Sequence, residues 1–517
     1  MVLDNSGTMM AELRRGRRRS RVVLTALAIT AGGLAAMATR EGVGLSNDSF
    51  VYLSVARHLV EGKGLLVSPC VSYEAGTSPV ENPATLTHFP PLYPMAVAAL
   101  GRLGLDLRES ARWLNITLFA VNVAIFGSAL IGRCGSVIPP LVATLWIVLS
   151  FDLLYLHVMA WSEPLSLTLG FGGLVLLGSW LDKREQRTTG LLLATALTGL
   201  AAVTRYAGVV YIGVGVSGLL TIGSSPRILR LRNALLFGVF ASLPLLCVLI
   251  HNLATAGRAV NRQWEFHPPE LGRVRQLFDT LLSWISPANL PAPSSTALGA
   301  GAVVGAIAVH FWFRGVTPVR DPRIVRGLPA RTLERLLTLF VPAYLVFVLA
   351  SMTFVDRGIP TDFRLFAPLH LAVAALAALA ADGLPTRYHV PRRLRAVTVV
   401  ALAGLLFLKY SSVTKFEDLA GRHGFELSVN ERTSSLLASV RGLPVGVRVY
   451  SNLSAMTSFL ADRPVWPLAS AGDADDAIIA YYTWGPPAEV PAEVAALRRF
   501  SHPVQIVRDG CLYSRQK

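Results

Sequence analysis

The sequence predicts an α-helical polytopic membrane protein of about eleven spans, with a large first outer loop and a small outer α/β domain after the last span. Three observations carry that prediction. Of the 517 residues, 52% are hydrophobic and 15% charged, and the mean hydropathy is +0.50; an ordinary soluble domain is about 25% charged. The apolar residues fall into runs of membrane length, with arginines clustered in alternate gaps between them. Beyond residue 411 the composition changes: strand-like 447–450 and 477–482 alternate with helix-like 430–441, 453–461 and 491–500. A soluble enzyme, a disordered chain and a fibre are excluded.

Taken in order, the predicted spans are 22–39, 112–131, 137–151, 164–181, 189–204, 207–222, 234–253, 296–313, 336–354, 365–381 and 396–410. The run from Val22 to Ala38 is longer than a signal-peptide core of about 7–15 residues, so it reads as a retained span. One further run, 91–105, opens on Pro90-Pro91 and contains Pro94 and Arg102. Counting it as a crossing would invert everything after it. The positive-inside rule decides: the basic tail 1–21 and the clusters at Arg133, Lys183 to Arg187, Arg227 to Arg232, Arg314 to Arg335 and Arg387 to Arg395 all lie inside only if 91–105 is re-entrant or interfacial. The expected organisation is a cytoplasmic tail 1–21, a membrane domain 22–410 with its first outer loop at 40–110, and an extracytoplasmic domain 411–517. The multi-pass chain would sit in a plasma (inner) membrane, N-terminus cytoplasmic.

The net charge of +16 is then a topology signal with added attraction to anionic headgroups, and nucleic acid is not an expected partner. Cys70, Cys134, Cys247 and Cys511 lack CxxC spacing, which argues against a cysteine zinc site or a disulfide scaffold. Five lysines against abundant arginine and alanine fit a GC-rich bacterial genome.

In the first outer loop, residues 47–65 form an amphipathic pattern of about four turns closed by Gly62 and Gly64. Asp48 and Tyr52 share a face, four residues apart. A carboxylate at a helix start is favoured in its ionised form and can take a proton from an attacking hydroxyl; the same position also suits a plain N-cap. Asp48, Tyr52, Ala56, Leu59, Gly62 and Gly64, followed by Pro90-Pro91-Leu92-Tyr93-Pro94, resemble the GT-C superfamily of polyprenyl-phosphate-sugar glycosyltransferases. The nearest likeness is to the branch holding protein O-mannosyltransferases and the lipid A aminoarabinose transferase. Ser110 to Asn115, Ser162 to Leu165, Arg205 to Gly208 and Phe363 to Leu369 extend it over most of the membrane part.

The resemblance implies a transferase that uses a polyprenyl-phosphate-linked sugar donor, with Asp48 as catalytic base and Arg112 on the lipid phosphate. Tyr52, His88, Tyr93, Glu163, Arg205 and Arg364 complete the expected substrate-binding set. Two departures matter. Ser49 stands where the family has a second acidic residue, which weakens any bound metal, although a divalent ion is left open and no cofactor is required. Phe89 stands where the aminoarabinose enzymes carry a lysine, so the donor charge would fall to His88, Arg112 and Arg205. The acceptor is a glycan, a lipid or a protein.

Each residue has a plainer reading. Glu163 in Ser-Glu-Pro suits a helix start. Asp362 and Arg364 could pair only with each other. Arg258, Arg262, Arg273 and Arg275 accompany Trp264, Phe266, His267 and Trp284, as at a headgroup interface. His88 and His267 lack the i, i+4 spacing of a helical metal site. The rival reading of the whole chain is a lipid or sugar transporter, but no internal repeat is evident and the polar candidates gather at one face.

Overall fold

The computed structural model describes residues 5–68, 71, 83–182, 187–222, 225–262, 264–268, 271–284, 332–355, 359, 361–387, 404, 406–411, 413–414, 434–468, 477–482, 494, 503–507 and 510–514. The expected span 296–313 and most of 396–410 lie outside these. Helix α1 (Asn5–Ala38) leads into α2 (Asn47–Val60), α3 (Leu92–Gly101) and α4 (Leu107–Ile131). Then come α5 (Ile138–Val148), α6 (Phe151–Val158), α7 (Glu163–Leu181), α8 (Thr188–Ala202), a 3-10 turn at Tyr206–Gly208 and α9 (Val209–Thr221). Helices α10 (Arg227–Ala256), α11 (Leu271–Ser283), α12 (Thr332–Phe354) and α13 (Phe363–Arg387) complete the helical part.

Among the described residues six helices are long and apolar enough to cross a membrane: Ser20–Ala38 of α1, then α4, α7, α10, α12 and Phe363–Asp382 of α13. The α5/α6 pair makes a seventh if it is one span. The expected span 137–151 is therefore revised. It breaks at Leu149 and Ser150, bends by 53°, and continues as α6, whose start Ser150 caps by accepting the Leu153 amide. Helix α3 has ten residues and covers about 15 Å, half of a bilayer core; α8 and α9, expected as spans 189–204 and 207–222, are also shorter than a full crossing.

Small residues allow the helices to approach. Ala31, Ala35 and Ala38 of α1 are buried against α4. A Cβ on Gly199 of α8 would sit 2.6 Å from the Ala241 carbonyl oxygen of α10, a backbone atom that cannot step aside. Close backbone contact of this kind favours association where no hydrophobic force separates helix from lipid.

Helix α2 is not a surface helix. Ser49 to Ala56 and His58 are all buried. The cap is Ser46, whose amide donates to Ser49 Oγ at 3.0 Å, which leaves Asp48 in the first turn without capping duty. Gly62 and Gly64 adopt positive φ (76° and 93°) as the chain turns away, and a short antiparallel pair follows, β1 (Leu66–Val67) with β2 (Ala84–Thr85).

The C-terminal part holds α14 (Ser435–Gly442), α15 (Ser454–Ala461) and a five-stranded mixed sheet. Its strands are β3 (Arg448–Ser451), β4 (Val465–Pro467), β5 (Ala477–Tyr482), β6 (Pro503–Val507) and β7 (Gly510–Ser514), in the order β4-β3-β5-β7-β6. β3 runs parallel to β4 and β5, while β7 is antiparallel to β5 and β6. Strands β4, β6 and β7 add to the two read from sequence. Of the helix-like 491–500, only Val494 is described. Cys511 is a buried free thiol in β7, and Cys70 lies outside the described residues. This layer packs on α2: the Phe459 ring lies 5.7 Å from that of Phe50 and 4.5 Å from the Arg57 guanidinium, and Arg57 pairs with Asp462 at 2.8 Å.

Candidate active site

The helix directions bring four charged side chains to one end of the bundle: Asp48 past the end of α1, Glu163 at the start of α7, Arg205 past the end of α8 and Arg364 at the start of α13. The segment 159–164 organises them. A parallel backbone bridge joins Gly44 to Met159, with amide hydrogen bonds of 2.8 Å on either side. Trp161 Nε1 donates to Ser46 Oγ at 2.7 Å, so the cap of α2 is fixed to the entry of α7. From below, Asn115 Nδ2 donates to the Met159 carbonyl at 2.5 Å and Asn122 Nδ2 to the Pro164 carbonyl at 3.1 Å. Asn122 also meets His157 Nε2 at 3.0 Å and accepts from Thr168 at 2.8 Å.

On that frame Arg364 links the two carboxylates. Its Nη2 lies 2.6 Å from Asp48 Oδ2, its Nε donates to Glu163 Oε1 at 2.8 Å, and its plane covers the Trp161 ring at 3.8 Å. Arg205 Nη1 reaches the same Glu163 oxygen at 2.8 Å and Ser162 Oγ at 3.3 Å. Two carboxylates thus balance two guanidinium groups. Glu163 is 3% exposed, and its second oxygen, Oε2, has no hydrogen-bond partner among the described residues. It lines a cavity of about 10 Å³ with Arg205, Tyr211, Tyr344 and Arg364, room for one water-sized group.

Tyr52 stands one turn above Asp48, its hydroxyl 3.0 Å from Ser162 Oγ, its ring against Phe89 at 4.9 Å and Tyr93 at 5.1 Å. Burial pushes its phenol well above the usual range, so it stays protonated. His88 stacks edge-on to Phe89 at 4.5 Å. Of the sequence-predicted residues, Asp48, Tyr52, Glu163, Arg205 and Arg364 therefore form one cluster, with Tyr93 and His88 on its aromatic flank. Arg112 stands apart: it donates to Glu109 at 2.9 Å and Thr39 at 3.1 Å, and packs over Trp113. The plainer alternative, Asp362 paired only with Arg364, gives way to a cap. Asp362 Oδ1 accepts the backbone amides of Arg364 and Leu365, and the Arg364 guanidinium turns inward.

Sequence reasoning passed over Trp161, the platform under Arg364, and Tyr344, whose hydroxyl donates to the Leu365 carbonyl at 2.8 Å. A tyrosine inside an otherwise apolar span was the available signal for the second. Two arginines of the second long loop have partners outside the cluster: Arg258 bonds Asn261 and Arg273 bonds the Ile359 carbonyl. Trp264 and Phe266 are exposed, as membrane-interface aromatics are. Among the described residues no group of three His, Cys, Asp or Glu side chains comes together as a metal site.

Two solved membrane-protein structures share this fold. The solved structure of ArnT from Cupriavidus metallidurans bound to undecaprenyl phosphate aligns over 95% of this chain and 97% of its own, with a TM-score of 0.53 at 14% identity. The oligosaccharyltransferase AglB from Archaeoglobus fulgidus, solved with an inhibitory peptide and a dolichol-phosphate, aligns over 88% of this chain at TM-score 0.51 and 12% identity. This chain spans 65% of AglB's length. No family model and no curated protein matches the sequence.

Proposed function

We propose that this chain moves a sugar from a polyprenyl-phosphate donor to an acceptor hydroxyl at the outer face of a bacterial plasma membrane, with inversion at the anomeric carbon. The carrying observation is the cluster in which Arg364 bridges Asp48 and Glu163 while Arg205 holds Glu163 from the other side. The GT-C fold supports the reaction class, and the lipid phosphates in the ArnT and AglB structures support the donor class.

In this reading Asp48 takes the acceptor proton as the hydroxyl oxygen bonds to the anomeric carbon. The bond from that carbon to the donor phosphate oxygen breaks, and the electron pair leaves on polyprenyl phosphate. Arg205 and Arg364 receive the developing negative charge, since planar guanidinium groups suit phosphate oxygens. Tyr52, protonated throughout, donates hydrogen bonds rather than removing protons. The ion pairs present without donor keep four charges compensated in a partly buried site, where an unpaired charge would be costly. The same reading places about eleven spans across the membrane, tail 1–21 in the cytoplasm, the membrane domain at 22–410 and the domain 411–517 outside.

The test uses membranes containing the chain and a radiolabelled undecaprenyl-phosphate hexose. Label must pass to an acceptor with the wild-type chain and stay on the donor with Asp48→Asn at equal protein level. Transfer by the variant at the wild-type rate would remove the base.

A further inference from the structure

A second, larger cavity lies beside the charged cluster. It measures about 680 Å³, within the size range of small-molecule sites, and opens to the exterior. One wall is helix α11, which presents Arg273, Gln276, Asp279, Thr280 and Ser283. Asp152 of α6, Ile359 and Thr361 to Phe363 form the other. The walls are tied together: Thr361 donates to Gln276 Oε1 at 2.7 Å, Thr280 to the Thr361 carbonyl at 2.9 Å, and Ser283 to Asp152 Oδ2 at 2.7 Å. The cavity is therefore a built cleft.

Its inner end meets the cluster. Phe363, which lines the cleft, sets its ring against Tyr155 at 5.0 Å and Trp161 at 6.3 Å, and the next residue is Arg364, in contact with Asp48. Hydroxyl, amide and carboxylate groups ranged along one aromatic ring are the lining that a sugar requires, with hydrogen bonds to its hydroxyls and an apolar face for its C–H surface. The charge of the lining narrows the class. Three carboxylates, Asp152, Asp279 and Asp362, line it with one guanidinium, Arg273; Lys409 offsets Asp152, and Arg364, which also acts on Asp362, is already matched by Asp48 and Glu163, so the lining keeps a net negative charge in a chain whose overall charge is +16. A phosphorylated or otherwise anionic head group would be repelled there.

We infer that the cleft between α11 and residues 361–363 is the acceptor site and takes an uncharged or amine-bearing glycan, not an anionic lipid head group. The inference rests on the transferase reading for the word acceptor, but the cleft's affinity for glycan can be measured without transfer.

The test is saturation-transfer NMR on the purified full chain in detergent, with a neutral hexose trisaccharide and its phosphorylated counterpart as probes. Wild type should saturate the neutral probe and bind the phosphorylated one more weakly. Asp279→Trp, which fills the cleft from an exposed position on α11, should weaken the neutral probe about tenfold or more, and Asp279→Asn should narrow the gap between the probes. No saturation of the neutral probe by wild type, equal saturation by Asp279→Trp, or tighter binding of the phosphorylated probe would each overturn the inference. Glycan binding here with no label transfer in the membrane assay would defeat the transferase reading alone; label transfer without glycan binding would defeat the cleft alone.

Discussion

Asp48 and Arg364 are 316 positions apart in the chain and 2.6 Å apart in the fold. That contact joins the first loop after α1 to the start of α13, and it closes only because segment 159–164 holds both ends through Trp161 and Glu163. The carboxylate proposed as base is therefore placed by a cation that can also receive a phosphate.

Replacing Asp48 by Asn keeps the shape and removes the proton acceptor. Transfer should fall by roughly 10²–10⁴, the usual worth of a positioned base. Initial rates at matched amounts of folded protein measure this.

The two arginines at Glu163 should bind the lipid phosphate more strongly than Arg112 does, because they cluster with the carboxylate proposed as base, whereas Arg112 stands apart with Glu109, Thr39 and Ala36. Arg205→Ala or Arg364→Ala should each raise the Kd for undecaprenyl phosphate about tenfold or more, or about 1.4 kcal/mol. Arg112→Ala should change it about threefold at most. Titration of the purified variants ranks them, and the reverse order would move the phosphate to α4.

Asn122 supports the entry of α7 from inside the bundle. Asn122→Leu strips one of two donors from the Pro164 carbonyl, which keeps Thr168, and removes the partner of the buried His157 Nε2. The expected cost is about 1–3 kcal/mol. It should appear as a lower thermal midpoint together with slower transfer, since Pro164 adjoins Glu163. An unchanged midpoint would mean that the network contributes nothing.

The contact between α15 and α2 should depend on its ring and not on its ion pair. Phe459 is 7% exposed and sits between Phe50 and Arg57, whereas Asp462 is 87% exposed. Phe459→Ala should destabilise by about 3–5 kcal/mol. Asp462→Ala should cost about 0–1 kcal/mol, less at high salt. Denaturation of both variants at two ionic strengths separates these terms.

The apolar runs and their arginine-filled gaps are local properties of the chain, set by the free-energy cost of placing charge in hydrocarbon. They gave the helical membrane class, most helix positions, the outlying status of 91–105 and the candidacy of Asp48, Glu163, Arg205 and Arg364. Reading 137–151 as one span missed the bend, because a break inside an apolar stretch leaves composition unchanged and depends on how Ser150 caps the next helix. Trp161 was silent for a similar reason: a tryptophan near a membrane boundary is expected whether or not it carries an arginine.

By itself, then, the sequence determined the helical membrane class and a short list of candidate ionisable groups, since burial of charge is decided within a few residues. Which of those groups meet was decided only in three dimensions. Arg364 chooses Asp48 and Glu163 over its neighbour Asp362, and Arg112 turns to Glu109, because hydrogen-bond reach is about 3 Å and only packing brings distant helices within it.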